Sequence, residues 1–260
     1  MKIGLIGAGN IGASLVKGWL KSGCNADNII LTNPTETKLI PFANDGVRVS
    51  TDNLSACEAD VIVLAVKPWL VEKVICELRD HLDYNRHVVV SLAAGVSGDD
   101  LKAAFDRGDG ALPHLLRCIP NTAVSICCGV SFVSNVTAAA QQQSAVLALL
   151  EKVGMAMMVS EKMLESGMKL ASCGMAYALR YIRAAAEGGV ELGFRPSEAI
   201  QVVAQTVKGA SAMLLENGSH PETEIDKVTT AGGVTIRGLN AMEHGGFTSA
   251  VIRGLTEGEK

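Results

Sequence analysis

Hydrophobic positions along this chain fall into two regimes. Up to about residue 94, short apolar runs rich in Val and Ile alternate with segments in which apolar residues return every three or four positions. Runs of the first kind fit strands buried on both faces, and segments of the second kind fit amphipathic helices packed against them. The pattern predicts a strand over Ile3-Gly4-Leu5-Ile6, a helix over 9–22, a strand over 28–32, and buried strands over 59–66 and 87–92. That alternation builds a parallel sheet with helices on both faces. The stretch LLRCIPNTAVSICCGVSFVSN, residues 115–135, predicts two more short strands, followed by a helix near 138–153 and a last strand over 154–160. From 161 onward β-rich runs vanish and helical periods dominate. Breaks are expected at Gly188-Gly189, Arg195-Pro196, Asn217-Gly218 and Gly232-Gly233. The expected organisation is an α/β domain over 1–160 followed by an all-helical domain over 161–260. The helical half is rich in Ala, Gly and Met, with apolar faces too extensive for a small solitary bundle to cover, which predicts self-association.

Composition narrows the function classes. The formal net charge is -4 and the sequence pI is near 5.8. No basic footprint for nucleic acid exists in such a chain, and with 4% aromatics it lacks stacking platforms for single strands. Seven cysteines, an odd number with Cys127 and Cys128 adjacent and no C-x-x-C pair, fit reduced thiols better than a disulfide framework or a zinc site. His81, His87, His114, His220 and His244 are scattered without an i, i+4 pair, so no metal site is expected. A first strand at Ile3 leaves no room for a cleaved leader, and the apolar run Val61 to Val66 is far too short to span a bilayer. The expectation is a cytoplasmic protein that binds neither membrane nor nucleic acid.

The chemistry begins at LIGAGNIG. Gly7-x-Gly9-x-x-Gly12 follows a predicted strand and opens a predicted helix, the setting that the dinucleotide fingerprint of a Rossmann-type, doubly wound sheet requires. Gly7 allows the tight turn, Gly9 lets backbone approach a pyrophosphate, and Gly12 lets helix and strand pack closely. N–H groups at the helix start, around Asn10 and Ile11, then meet negative charge. An acidic residue at the end of the second strand would bond the ribose 2′-OH of NAD. Here the strand ends Thr32-Asn33-Pro34-Thr35 with no carboxylate before Glu36, so a 2′-phosphate is tolerated and NADPH is favoured over NADH. Asn33, Thr35 and Lys38 are the groups available to that phosphate. In LAVKPWL, Ala65, Val66, Lys67 and Pro68 stand beyond a buried strand, at the edge where open α/β sheets bind ligands. SLAAGV, with Ala93, ends another strand on the same edge.

Several separated blocks resemble the pyrroline-5-carboxylate reductase family: GAGNIG at 7–12, LAVKP at 64–68, SLAAGV at 91–96, RCIPNTA at 117–123 and DKVTTAGGVTIRGLNAMEHGGF at 226–247. The Pro120-Asn121-Thr122 block and the Thr-x-Gly-Gly-x-Thr block are the specific ones. The resemblance implies reduction of a cyclic imine by NAD(P)H, Asn121 among the cofactor contacts, and a helical domain that dimerises and often assembles further. It also implies that the loop before the penultimate helix holds the substrate carboxylate. Thr230, Gly232, Gly233 and Thr235 precede the helical pattern 236–243, where unpaired N–H groups converge with small hydroxyls and glycines allow close approach. Thr235 matches the family's threonine beside the imine nitrogen and is the catalytic candidate. A helix cap on a glycine-rich turn would use the same residues.

Two positions depart from the family pattern. Ala171-Ser172-Cys173-Gly174-Met175-Ala176-Tyr177 stands where the family reads Ser-Gly-Ser-Gly-Pro-Ala-Tyr, and Ala231 stands where it has Pro. These keep two further readings open: a reductase of a related cyclic imine, and a non-catalytic nucleotide-binding homologue. A β-hydroxyacid dehydrogenase-like reading would use Lys169 as base but leaves the Gly232-Gly233 loop without a role.

Overall fold

The computed structural model describes residues 1–257. Its strands are β1 (Ile3–Ile6), β2 (Ile29–Thr32), β3 (Arg48–Ser50), β4 (Val61–Leu64), β5 (Val88–Ser91), β6 (His114–Pro120), β7 (Gly129–Asn135) and β8 (Gly154–Met158). They form one sheet in the order β3-β2-β1-β4-β5-β6-β7-β8. Every neighbouring pair is parallel except β6 with β7, which are antiparallel. The helices between them are α1 (Asn10–Lys21), α2 (Ile40–Asn44), α3 (Val71–Leu78), α4 (Gly98–Phe105) and α5 (Ala140–Glu151), and α6 (Glu161–Met168) follows β8.

Alternation within the strands divides the core in two. Ile3, Leu5, Val61, Val63, Val88 and Val90 pack with Leu15, Val16 and Trp19 of α1 and Leu149 and Leu150 of α5. Ile6, Ile62, Leu64 and Val89 face the other way, onto Val71, Val74, Ile75 and Leu78 of α3 and Leu101 and Phe105 of α4. A strand covered on both faces has no polar side to show, which is why β1, β2, β4 and β5 read as continuous apolar runs. The buried Trp19 indole N–H donates to the Leu149 carbonyl (3.2 Å), so its polar edge is satisfied inside the core.

The remaining helices are α7 (Gly174–Glu191), α8 (Pro196–Asn217), α9 (Pro221–Lys227), α10 (Val234–His244) and α11 (Phe247–Thr256). Contacts divide the chain into Met1–Ser172 and Cys173–Lys260. Helix α6 therefore packs with the sheet. Leu164 is buried there, and a Cβ on Gly167 would lie 2.5 Å from the Phe132 ring of β7.

Three local expectations change. Strand β3 carried no apolar run to announce it, since Arg48-Val49-Ser50 is an edge strand held by pairing with β2. Gly188-Gly189 does not break the chain but lies within α7. A Cβ at Gly189 would come 3.0 Å from that of Ala199, so the glycine serves the close approach of α7 to α8. The helix over 236–243 begins earlier, at Val234. The breaks at Arg195-Pro196 and Asn217-Gly218 are present, with Pro196 opening α8 and Gly218 closing it in a left-handed conformation (φ 61°).

Candidate active site

Strand order reverses between β1 and β4, so the crevice at their C-terminal ends is the topological switch point of the sheet. Gly7 leaves β1 at φ 111°, and its N–H donates to the Thr32 carbonyl (2.8 Å). A side chain there would strike the Ala65 carbonyl oxygen at 2.6 Å. Gly12 is held more tightly still, because a Cβ would come 2.0 Å from the Gly7 carbonyl oxygen. Gly9 differs from both: it is the N-cap of α1, and nothing lies within 4 Å of where its Cβ would be. Its lack of a side chain answers no internal packing demand.

Helix α1 has neither a side-chain cap nor an acidic residue in its first turn. Its first N–H groups therefore lack helical partners and stand beside the open space at Gly9, a cradle suited to a pyrophosphate. Asn10 is exposed there, and Ile11 packs partly against the core.

Asn33 is buried at the end of β2 and its amide is engaged within the chain. Oδ1 accepts from the Ala8 N–H (3.1 Å) and Nδ2 donates to the Thr35 carbonyl (3.1 Å). It thus braces the glycine turn. Thr35 and Lys38 are exposed nearby on the same loop. Across the switch point, Ala65 donates its N–H to the Ile6 carbonyl (2.8 Å), Val66 is half-buried, Lys67 is exposed, and Pro68 opens a 3-10 turn. Ala93, buried after β5, reaches Ser91 Oγ with its N–H (3.4 Å).

At the end of β6 the Asn121 amide is also spent internally. Its Oδ1 accepts from the Val130 N–H (3.2 Å), and its Nδ2 donates to the Ala171 carbonyl (3.3 Å). Burial pushes the nearby Cys118 thiol up to about 12, which leaves no thiolate for nucleophilic work at neutral pH.

In the helical unit, Gly233 N–H donates to the Thr230 carbonyl (2.9 Å), closing a turn with Ala231 and Gly232 at its centre. Gly232 has φ 68° while Ala231 does not have a positive φ, the combination of a type II turn. Proline is favoured at the Ala231 position of such a turn, so its replacement keeps the geometry and loosens the restraint. A Cβ on Gly233 would meet Thr230 Oγ1 at 2.5 Å. Turn and packing alone thus account for both glycines. Thr235 is another matter: it is the second residue of α10, whose N-cap is Gly233, so Thr235 is not a cap. Helix α10 has no side-chain cap and no acid in its first turn, and Thr235 is exposed.

The model of the pyrroline-5-carboxylate reductase dimerisation region matches residues 161–260, and that of the coenzyme F420-dependent NADP oxidoreductases matches residues 2–95. Pyrroline-5-carboxylate reductase 2 of Dictyostelium discoideum is 36% identical over 97% of this chain and 89% of its own length. The chain belongs to the pyrroline-5-carboxylate reductase family. A family structure from Coxiella burnetii superposes with a TM-score of 0.89 at 31% identity, covering 98% of this chain and 95% of that one. The Plasmodium falciparum pyrroline carboxylate reductase, crystallised with NADP bound, shares the fold at a TM-score of 0.85 and 21% identity, covering 98% and 94% of the two chains.

Against the family pattern, Met175 in place of Pro is the second residue of α7. It supplies an N–H and no ring, and α6 runs into α7 through a π-helical turn at Lys169–Cys173 without leaving helical conformation. One ion pair has a buried cation and an exposed carboxylate, and no expectation from the sequence covered it. Arg117 on β6 is 6% exposed and its Nη1 lies 2.6 Å from Glu161 Oε1. A lone arginine inside the apolar run LLRCIP was the available signal, because a buried cation requires a counter-charge.

Proposed function

We propose that this chain reduces L-Δ1-pyrroline-5-carboxylate to L-proline with NADPH, NADH serving less well. End-to-end membership of the reductase family supplies the substrate class, and one structural observation carries the rest. Helix α10 starts on Gly233 with neither a capping side chain nor an acid, and an exposed threonine hydroxyl stands in its first turn.

A carboxylate seated there accepts from backbone N–H groups and is favoured by the helix dipole. In this reading Thr230, Gly232 and Gly233 shape the seat, and the Thr235 hydroxyl bonds the substrate beside the ring nitrogen. The chain meets the requirements of the cofactor as well: α1 is uncapped, Gly9 leaves space, and β2 ends without a carboxylate. Gly7, Gly9, Asn10, Ile11 and Gly12 form the pyrophosphate cradle, Asn33 and Thr35 border the adenosine ribose, and Ala65, Val66, Lys67, Pro68 and Ala93 line the path toward the nicotinamide. Asn121 supports this edge through its bonds to Val130 and Ala171. Bound NADPH supplies the hydride that reduces C5 of the protonated ring. That carbon is already electrophilic in the iminium, so the residues named have to orient it, exclude water and keep a proton at the ring nitrogen. No histidine or metal is required for that task.

The reading takes residues 1–160 as the cofactor domain and 161–260 as the dimerisation and substrate domain, acting as a homodimer or larger homo-oligomer. No helix of the described residues is long and apolar enough to cross a membrane, and all seven cysteines are free thiols. We place the protein in the cytoplasm on that basis. The direct test is nicotinamide absorbance with purified protein, pyrroline-5-carboxylate and NADPH or NADH. Oxidation dependent on the imine is the expected result. Cofactor binding without turnover would turn the assignment to a non-catalytic homologue.

A further inference from the structure

The loop from β5 to α4 is anchored at both ends, and one anchor comes from far along the chain. At its start the Leu92 N–H donates to the Leu64 carbonyl (2.9 Å). Gly95 turns it at φ 81°, and Ala94 and Gly95 are exposed. At its end Ser97 and Asp100 close a reciprocal capping box, with Asp100 N–H to Ser97 Oγ at 3.1 Å and Ser97 N–H to Asp100 Oδ2 at 2.8 Å. The following N–H, that of Gly98, donates to Glu161 Oε1 at 2.6 Å. That same oxygen accepts from Arg117 Nη1 at 2.6 Å.

Each contact has its own physical reason. The Arg117 guanidinium is buried on β6 and requires a counter-charge, and the first N–H groups of α4 favour a carboxylate. Glu161 Oε1 answers both at once. A Cβ on Gly98 would sit 3.2 Å from Glu161 Oε2 and 3.1 Å from Val136 Cγ2, so glycine leaves the carboxylate room to approach. The register pairs Ser91 with Arg117, so the guanidinium belongs to the rung from which the loop departs.

We propose that Glu161 is a positioning residue for the cofactor: by joining Arg117 to the Gly98 N–H, it fixes the end of the loop 92–97 and hence the placement of Ala93 beneath the nicotinamide end of the dinucleotide. The proposal rests on the cofactor placement given above. It ties cofactor affinity to the first residue of the segment that the dimerisation model matches.

The test uses full-length Glu161→Ala, Glu161→Gln and Ala93→Asp, with the NADPH dissociation constant from fluorescence titration, steady-state kinetics and melting temperature. Glu161→Ala removes a charge-assisted hydrogen bond to the loop and should weaken NADPH by about tenfold. The KM for the imine and kcat at saturating NADPH should not change. Glu161→Gln keeps an oxygen for Gly98 and loses the charge, so its affinity should fall between parent and Glu161→Ala. NADPH affinity equal to the parent in either folded variant overturns the proposal, and so does an equal rise in both KM values. If Glu161→Ala does not fold, Glu161→Gln decides alone by the same criteria. Ala93→Asp separates the two layers: normal NADPH binding in that variant overturns the cofactor placement, whereas weak binding there beside normal Glu161 variants overturns the positioning role alone.

Discussion

The sheet unit and the helical unit differ in what they bury. In the first, helices cover both faces of the sheet and large side chains such as Trp19, Phe105 and Ile62 are inaccessible. In the second, among the described residues, only Ala186 and Ala199 are buried apolar side chains, while Leu179, Leu192, Phe194, Ile200, Val202 and Ile252 are exposed. The first unit encloses its own core, although Trp69, Ile126 and Met163 remain exposed on it. The second is a set of amphipathic helices that leave apolar side chains exposed, and the family's dimerisation region, residues 161–260, includes it.

The largest effect should come from charging that surface. Val202 lines an apolar cleft of about 700 Å³ with Phe194, Leu192 and Ala185. Under the proposed homodimer, Val202→Glu buries an unpaired carboxylate and should weaken association on the order of a hundredfold or more. Sedimentation across a concentration series reads this directly. An unchanged dimer would remove the cleft from the interface and dull the contrast between the units.

Next come the glycines of the sheet unit, where packing and ligand demands separate. Gly12→Ala forces a Cβ against the Gly7 carbonyl and should cost about 3 kcal/mol of stability. Gly9→Ala meets nothing and should leave the melting temperature alone while weakening NADPH. Calorimetry and cofactor titration on the same preparations check both. A stable Gly9→Ala protein with parental affinity would mean the pyrophosphate lies elsewhere.

In the helical unit the corresponding test is Thr235. Loss of its hydroxyl in Thr235→Ala or Thr235→Val should remove about 1.5–3 kcal/mol of transition-state stabilisation, roughly ten- to a hundredfold in kcat/KM. Because Gly233 is the N-cap, neither change should lower the melting temperature. Stability loss without kinetic loss would return Thr235 to a structural role.

The smallest effect is expected at Asn33. Asn33→Asp keeps an oxygen for the Ala8 N–H but loses the donor to Thr35, costing about 1 kcal/mol of stability. A carboxylate there repels a 2′-phosphate, so the ratio of kcat/KM for NADPH to that for NADH should fall. An unchanged ratio would confine Asn33 to bracing the glycine turn.

These contrasts also mark how far local sequence reaches. The strands β1, β2, β4 and β5 were legible because burial on both faces demands unbroken apolar runs, and α1 because Leu15, Val16 and Trp19 recur on one face. Strand β3 was not, since an edge strand of Arg48-Val49-Ser50 exists through pairing rather than through its own pattern. Gly188-Gly189 misled for a related reason: glycine marks either a break or a close approach, and only the neighbouring Ala199 distinguishes them.

By itself, then, the sequence determined the buried strands β1, β2, β4 and β5, the helix α1, the glycine turn before it and the resemblance to a reductase family, because each follows from local periodicity or from residue types at fixed spacing. Only the tertiary structure decided that the amides of Asn33 and Asn121 are spent inside the fold, that Gly233 rather than Thr235 caps α10, and that Glu161 joins Arg117 to the start of α4. A hydrogen bond or ion pair forms when two groups come within about 3 Å. For residues far apart in the chain, packing alone sets that approach, and no local pattern records the partner.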